Sequence, residues 1–128
     1  MRWAMWALLL NACADDLITI GDPVALEVSV RRAEAAAERM AGLRGDSLVP
    51  GEGLLLVFPV EDELCITNAG VEQSIDAVFI DGSAAVTTVE RDIAAGDRTI
   101  RCANARWILE VLANEASAVE PGMFAGGL

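Results

Sequence analysis

"ARWILEVLANEASAV" (Ala105–Val119) is the stretch on which the architecture turns. Trp107, Ile108, Val111, Leu112 and Val119 fit one face of a helix. "WILEVL" by itself fits a strand buried on both faces equally well, and periodicity does not choose between them. One residue is out of place in either reading. Glu110 lies inside an apolar run, where an ionised carboxylate needs a charged partner or hydrogen bonds.

The surrounding chain is easier to read. "IDAVFIDGSAAVTTVE" (Ile75–Glu90) places Asp81-Gly82 between two β-rich runs, the pattern of a tight hairpin pairing Ile75–Ile80 with Ala84–Val89. "RTIRC" (Arg98–Cys102) and "LCIT" (Leu64–Thr67) read as short strands. "LLLVFP" (Leu54–Pro59) reads as a buried strand ended by proline, and "VEDE" (Val60–Glu63) as an acidic turn. "LITIGDPVALEVSV" (Leu17–Val30) gives two strands around Gly21-Asp22-Pro23, the second alternating apolar and polar residues. The period then changes. Ala33, Ala36, Ala37, Met40 and Leu43 fall at helical spacing, which predicts a helix over Arg31–Gly45 with Gly45 as its stop.

Composition removes several chemistries. The 128 residues carry a formal net charge of -11, and all nine basic residues are Arg. An acidic surface repels phosphate backbones, so nucleic acid is not an expected partner. There is no His, Lys or Tyr. That excludes His-activated nucleophiles, Schiff-base lysines and the commonest zinc ligand. No cofactor or metal is expected. The acidic "EDE" at Glu61–Glu63 lacks the spaced oxygen ligands and the glycine of a calcium loop.

The chain opens "MRWAMWALLLNACADD", one Arg followed by the apolar run Trp3–Leu10. The run is too short to span a bilayer and fits a secretory h-region. "LNAC" (Leu10–Cys13) resembles the bacterial lipobox, which implies a signal segment at residues 1–12, lipid on Cys13 and a single domain over 13–128. The expected place is the bacterial cell envelope at its periplasmic face, lipid-anchored or secreted. A membrane, a small molecule or another envelope protein are the expected partners.

The order of these elements, with four short motifs, resembles the bacterial and archaeal family called domain of unknown function 192. "AERMAGLRGDSLVPGEGLLLVF" is similar to its opening block through Arg39, Gly42, Leu43, Leu48, Gly51, Glu52, Gly53 and Phe58. "SIDAVFIDG" matches a second block through Ile75, Asp76, Phe79, Ile80 and Asp81. "WILEVLAN" matches a third through Leu109, Glu110 and Ala113, and "EPGM" a closing turn through Gly122. The resemblance implies an α+β fold. Its sheet is small, mostly antiparallel and partly barrel-like, with one helix after the second strand. It also implies that Arg106–Leu112 is a strand and Asn114–Val119 a short C-terminal helix.

The family's central motif is altered here. Where one branch has histidine, two aromatics, arginine and proline, "CITNAGVEQS" (Cys65–Ser74) has Thr67, Ala69, Gln73, Glu72 and Ser74. These side chains offer only neutral hydrogen bonds and one negative charge. The segment is expected to form a strand end and an exposed loop beside Asp76, without an intact small-molecule site.

Asp76 and Glu110 are the candidate site residues. Together in one pocket they would make an acid/base pair for a carboxylate-based hydrolase. Apart, each would be a structural carboxylate bonded to backbone N–H groups or to Arg106 or Arg101. Cys65 and Cys102 lie in separate strands and are either a disulfide, natural in an oxidising envelope, or two buried thiols. The functional expectation is a non-catalytic envelope-associated binding or interaction module, with the hydrolase as the alternative.

Overall fold

The computed structural model describes residues 16–128. The expected signal segment, residues 1–12, and Cys13 lie outside the described residues. Seven strands form one sheet: β1 (Leu17–Ile20), β2 (Leu26–Ala33), β3 (Glu52–Ile66), β4 (Ile75–Ile80), β5 (Val86–Ile93), β6 (Arg101–Leu112) and β7 (Ala125–Gly126). The helix α1 (Ala36–Ala41) follows β2. The order across the sheet is β5-β4-β6-β3-β2-β1-β7, antiparallel throughout except for the parallel pair β2–β3. "WILEVL" is therefore a strand, and it lies between β4 and β3.

The sheet curls into a half-barrel, and an isolated bridge between Ala85 and Phe124 ties its two ends. Val86 N–H donates to Met123 O and Gly122 N–H to Val86 O, at 2.8 Å each. One apolar cluster gathers Ile18, Val28, Leu55, Val78, Ile80, Leu109 and Val111. It joins strands that are not neighbours in the sheet, so it fills the inside of the curl. A second cluster covers the outer face: Leu54, Leu56, Ile75, Phe79 and Ile108, with Leu43, Leu48 and Val71 folded over them from loops. All six residues of β4 are buried. Cover on both faces explains why β4 and the end of β6 read as continuous apolar runs without alternation.

Four sequence expectations are corrected. First, β3 does not stop at Pro59, and Val60–Glu63 is no turn. The register against β6 steps from Val57↔Trp107 to Asp62↔Ala105, so three more residues are used on β3 than on β6. Pro59 sits inside that bulge, where no ladder N–H is required.

Second, the helix is much shorter than Arg31–Gly45. Arg31, Arg32 and Ala33 pair with Leu54, Leu55 and Leu56, so the ladder claims residues that helix propensity alone would have kept. Gly42, at φ 53°, ends the helix.

Third, the hairpin after β4 is not a two-residue turn. Ile80 pairs with Val86, leaving residues 81–85 as the loop. Asp81 organises it, its Oδ1 accepting Ser83 N–H, Ser83 Oγ–H and Ala85 N–H at 2.9, 2.7 and 3.0 Å. The positive φ belongs to Ala84 and not to Gly82.

Fourth, Asn114–Val119 is a run of turns and not a helix. Asn114 has φ 77°. The segment closes with bonds three residues apart instead: Glu115 N–H donates to Leu112 O, Ser117 N–H to Asn114 O and Val119 N–H to Ala116 O. The Arg91 guanidinium also donates to the carbonyls of Ala116 and Val119, and Ala116 N–H donates to Asp76.

Candidate functional site

Glu110 and Asp76 do not meet. In the β4–β6 ladder Asp76 lies opposite Val111, and Glu110 opposite Ala77. Adjacent positions on a pleated strand point to opposite faces. Asp76 therefore faces the inside of the curl with Val78 and Ile80, and Glu110 faces outward with Ile108. The acid/base pair that the hydrolase alternative requires is ruled out by this alternation.

Asp76 is 1% exposed, and its oxygens are spent on backbone. Oδ1 accepts Asp92 N–H at 2.8 Å and Oδ2 accepts Ala116 N–H at 3.1 Å. Two amide donors from distant segments satisfy the buried charge. This carboxylate holds β5 and the turn after β6 against the sheet.

Glu110 is 5% exposed and differs in kind. It accepts no hydrogen bond from the described residues, and burial without compensation pushes its carboxyl up to about 7. Neither expected arginine reaches it. Arg101 bonds Glu90 and Asp97 at 3.0 and 2.9 Å, while Arg106 lies over the Trp107 ring and donates to Phe58 O.

The Glu110 carboxylate opens into a cavity of about 350 Å³ between α1, β3 and the loop after β3. Leu43, Leu56, Phe58 and Val71 give it apolar walls. Gly42 lies over the carboxylate: a Cβ there would stand 4.0 Å from Glu110 Oε1. Arg39 and Arg44 also line the cavity. The Arg39 guanidinium sits 4.9 Å from the Phe58 ring centroid and donates to the carbonyls of Glu34 and Val57.

The altered central motif forms part of the wall, with Cys65, Ile66, Thr67, Asn68, Ala69 and Val71 lining the cavity. The expected exposed loop is thus corrected in part: Asn68 and Val71 are buried, while Thr67, Gly70 and Glu72 are exposed. Asn68 is 2% exposed. Its Nδ2 donates to Gln73 O at 3.0 Å and Ala94 O at 2.9 Å, while its buried Oδ1 has no partner among the described residues. Gln73 fastens the loop by exchanging two bonds with the Leu48 backbone, at 2.8 and 2.9 Å. Beside this wall Cys65 faces Cys102 in register, and the two are bonded as a disulfide.

Asn68 was missed because a neutral amide in a loop carries no signal of burial. Its depth follows only once the Ala94 carbonyl, 26 residues on, is known to lie against it.

Comparison with known proteins supports this fold. A protein of unknown function from Novosphingobium aromaticivorans superposes with a TM-score of 0.79 and 18% identity, over 85% of this chain and 82% of that one. A candidate transcription regulator from Sinorhizobium meliloti 1021 superposes with a TM-score of 0.81 and 18% identity, over 88% and 94%. No curated protein matches the chain. The sequence pattern of DUF192, an uncharacterised ACR, matches residues 17–123, β1 through the turn before β7; the chain belongs to the DUF192 family.

Proposed function

We propose that this protein is a non-catalytic binding module of the bacterial envelope, tethered by lipid on Cys13, that holds a small molecule in the Glu110 cavity. The observation that carries the reading is a buried carboxylate with no donor among the described residues, open to a cavity of about 350 Å³. Ligand sites are concave, mostly apolar and furnished with a few convergent polar groups, within a volume range of about 300–1,000 Å³. The cavity has that form. Its described lining pairs no nucleophile with a base, and the second carboxylate lies on the other face of the sheet. The likeness to the Sinorhizobium protein, at 18% identity, is one of fold alone, and a net charge of -11 opposes DNA.

The tether is tested by fractionating cells that express the full chain or Cys13→Ser. The expected result is membrane association of the first and release of the second; equal solubility would overturn it. Binding is tested by thermal shift against a metabolite panel with the full chain and Glu110→Gln. A ligand that stabilises the first and not the second supports the site, and a panel with no effect on either counts against it.

A further inference from the structure

We infer that the Glu110 cavity takes a small zwitterion of amino-acid size, its ammonium on Glu110 and Asn68 and its carboxylate toward Arg39 and Arg44. This rests on the binding reading above and deepens it.

The argument is an account of unspent hydrogen-bonding capacity. Two buried acceptors at the cavity have no donor among the described residues: the Glu110 carboxylate and Asn68 Oδ1. The orientation of the Asn68 amide is set by its network, since its NH₂ faces two carbonyls. Buried acceptors left without donors cost stability, and a ligand with several N–H groups relieves that cost on binding. A primary ammonium supplies three donors from one atom.

The cations at the same cavity carry unspent donors. Arg39 uses only Nη1, on the carbonyls of Glu34 and Val57, so Nε and Nη2 have no acceptor among the described residues. Arg44 uses Nε and Nη2 on Ala41 and Met40, leaving Nη1. Two guanidinium groups repel a simple organic cation and attract a carboxylate. The lining thus asks for both signs of charge on one small ligand. Phe58, Leu56, Leu43 and Val71 supply apolar surface for an aliphatic side chain.

The test uses three probes of one shape: L-leucine, 3-methylbutylamine, which keeps only the ammonium, and 4-methylpentanoate, which keeps only the carboxylate. Each is titrated calorimetrically at pH 8 into the full chain and into Glu110→Gln. The expected result is leucine binding at least tenfold tighter than either analogue, and at least tenfold weaker to the variant. 3-Methylbutylamine binding as tightly as leucine would overturn the zwitterion while leaving a cation site. No binding by any probe, beside a panel ligand lost in Glu110→Gln, would overturn the ligand class and leave the binding module standing. No ligand of any kind would remove both.

Discussion

Asp76 and Glu110 are buried to nearly the same degree, on neighbouring strands and at adjacent rungs of one ladder. Inside the curl, two backbone amides point at Asp76 from segments 16 and 40 residues away. On the outer face, no donor among the described residues points at Glu110, and a cavity opens before it. Burial therefore does not distinguish a structural carboxylate from one held available. The supply of donors does.

Substitution at Asp76 should have the largest effect. Asp76→Asn keeps the shape but turns an NH₂ toward one of two backbone N–H groups. Losing one bond outright, with a buried N–H left facing an NH₂, and the charge on the other should cost about 4 kcal/mol, read as a large fall in the urea midpoint. A wild-type midpoint would mean that the amides find other acceptors, and the contrast would fail.

Glu110→Gln should act in the opposite direction. The folded-state pKa is raised from 4.5 to about 7 by burial. Below the unfolded value both states hold the proton. Between 4.5 and about 7 only the folded state does, so native stability falls as pH rises through that window and levels off above it. The loss amounts to about 3 kcal/mol at most. Glu110→Gln removes it, so its Tm should match wild type near pH 4.5 and exceed it at pH 8. A variant less stable than wild type at pH 8 would mean that the carboxylate is paired after all.

Gln73→Ala tests the cavity wall without touching a charge. Two hydrogen bonds to the Leu48 backbone are lost, at about 1–2 kcal/mol. The loop should then exchange amide protons faster at Asn68 and Val71, while exchange at Asp92 stays unchanged. Faster exchange at both places would show that the two faces are not independent.

Gly82→Val should have the smallest effect. Its φ is not positive, and the near neighbour of an added Cβ is Glu61 Oε1 at 2.8 Å, the far end of an exposed side chain that accepts Gly82 N–H and Asn104 Nδ2. The carboxylate can move aside, so the loss should stay under about 1 kcal/mol. A larger loss would make the bond from Gly82 N–H to Glu61 a fixed part of the hairpin.

The legible parts of this molecule are those where one local rule acts alone. Alternation marks β2, the β-rich runs on either side of Asp81-Gly82 mark β4 and β5, and alanine spacing marks a helix after β2. Reading failed where distant backbone intervenes. Parallel pairing with β3 takes Arg31–Ala33 from the helix. Arg91, 25 and 28 residues away, and Asp76, 40 residues away, hold Asn114–Val119 as a series of turns. Asp76 and Glu110 stand out as carboxylates in apolar runs, but their division between two faces depends on the β4–β6 register. The wall at Asn68 follows from packing that no local pattern encodes.

The bridge between Ala85 and Phe124, with β7 laid along β1, has a consequence for the order of assembly. β1, made early, acquires its outer neighbour only once Ala125 and Gly126 have been synthesised. Until then the growing chain has an open sheet with unpaired strand edges and an uncovered apolar interior. Such a chain cannot make the Ala85–Phe124 bridge or the β1–β7 pair before Phe124–Gly126 arrive. The clasp that shuts the fold thereby also sets the time at which it shuts.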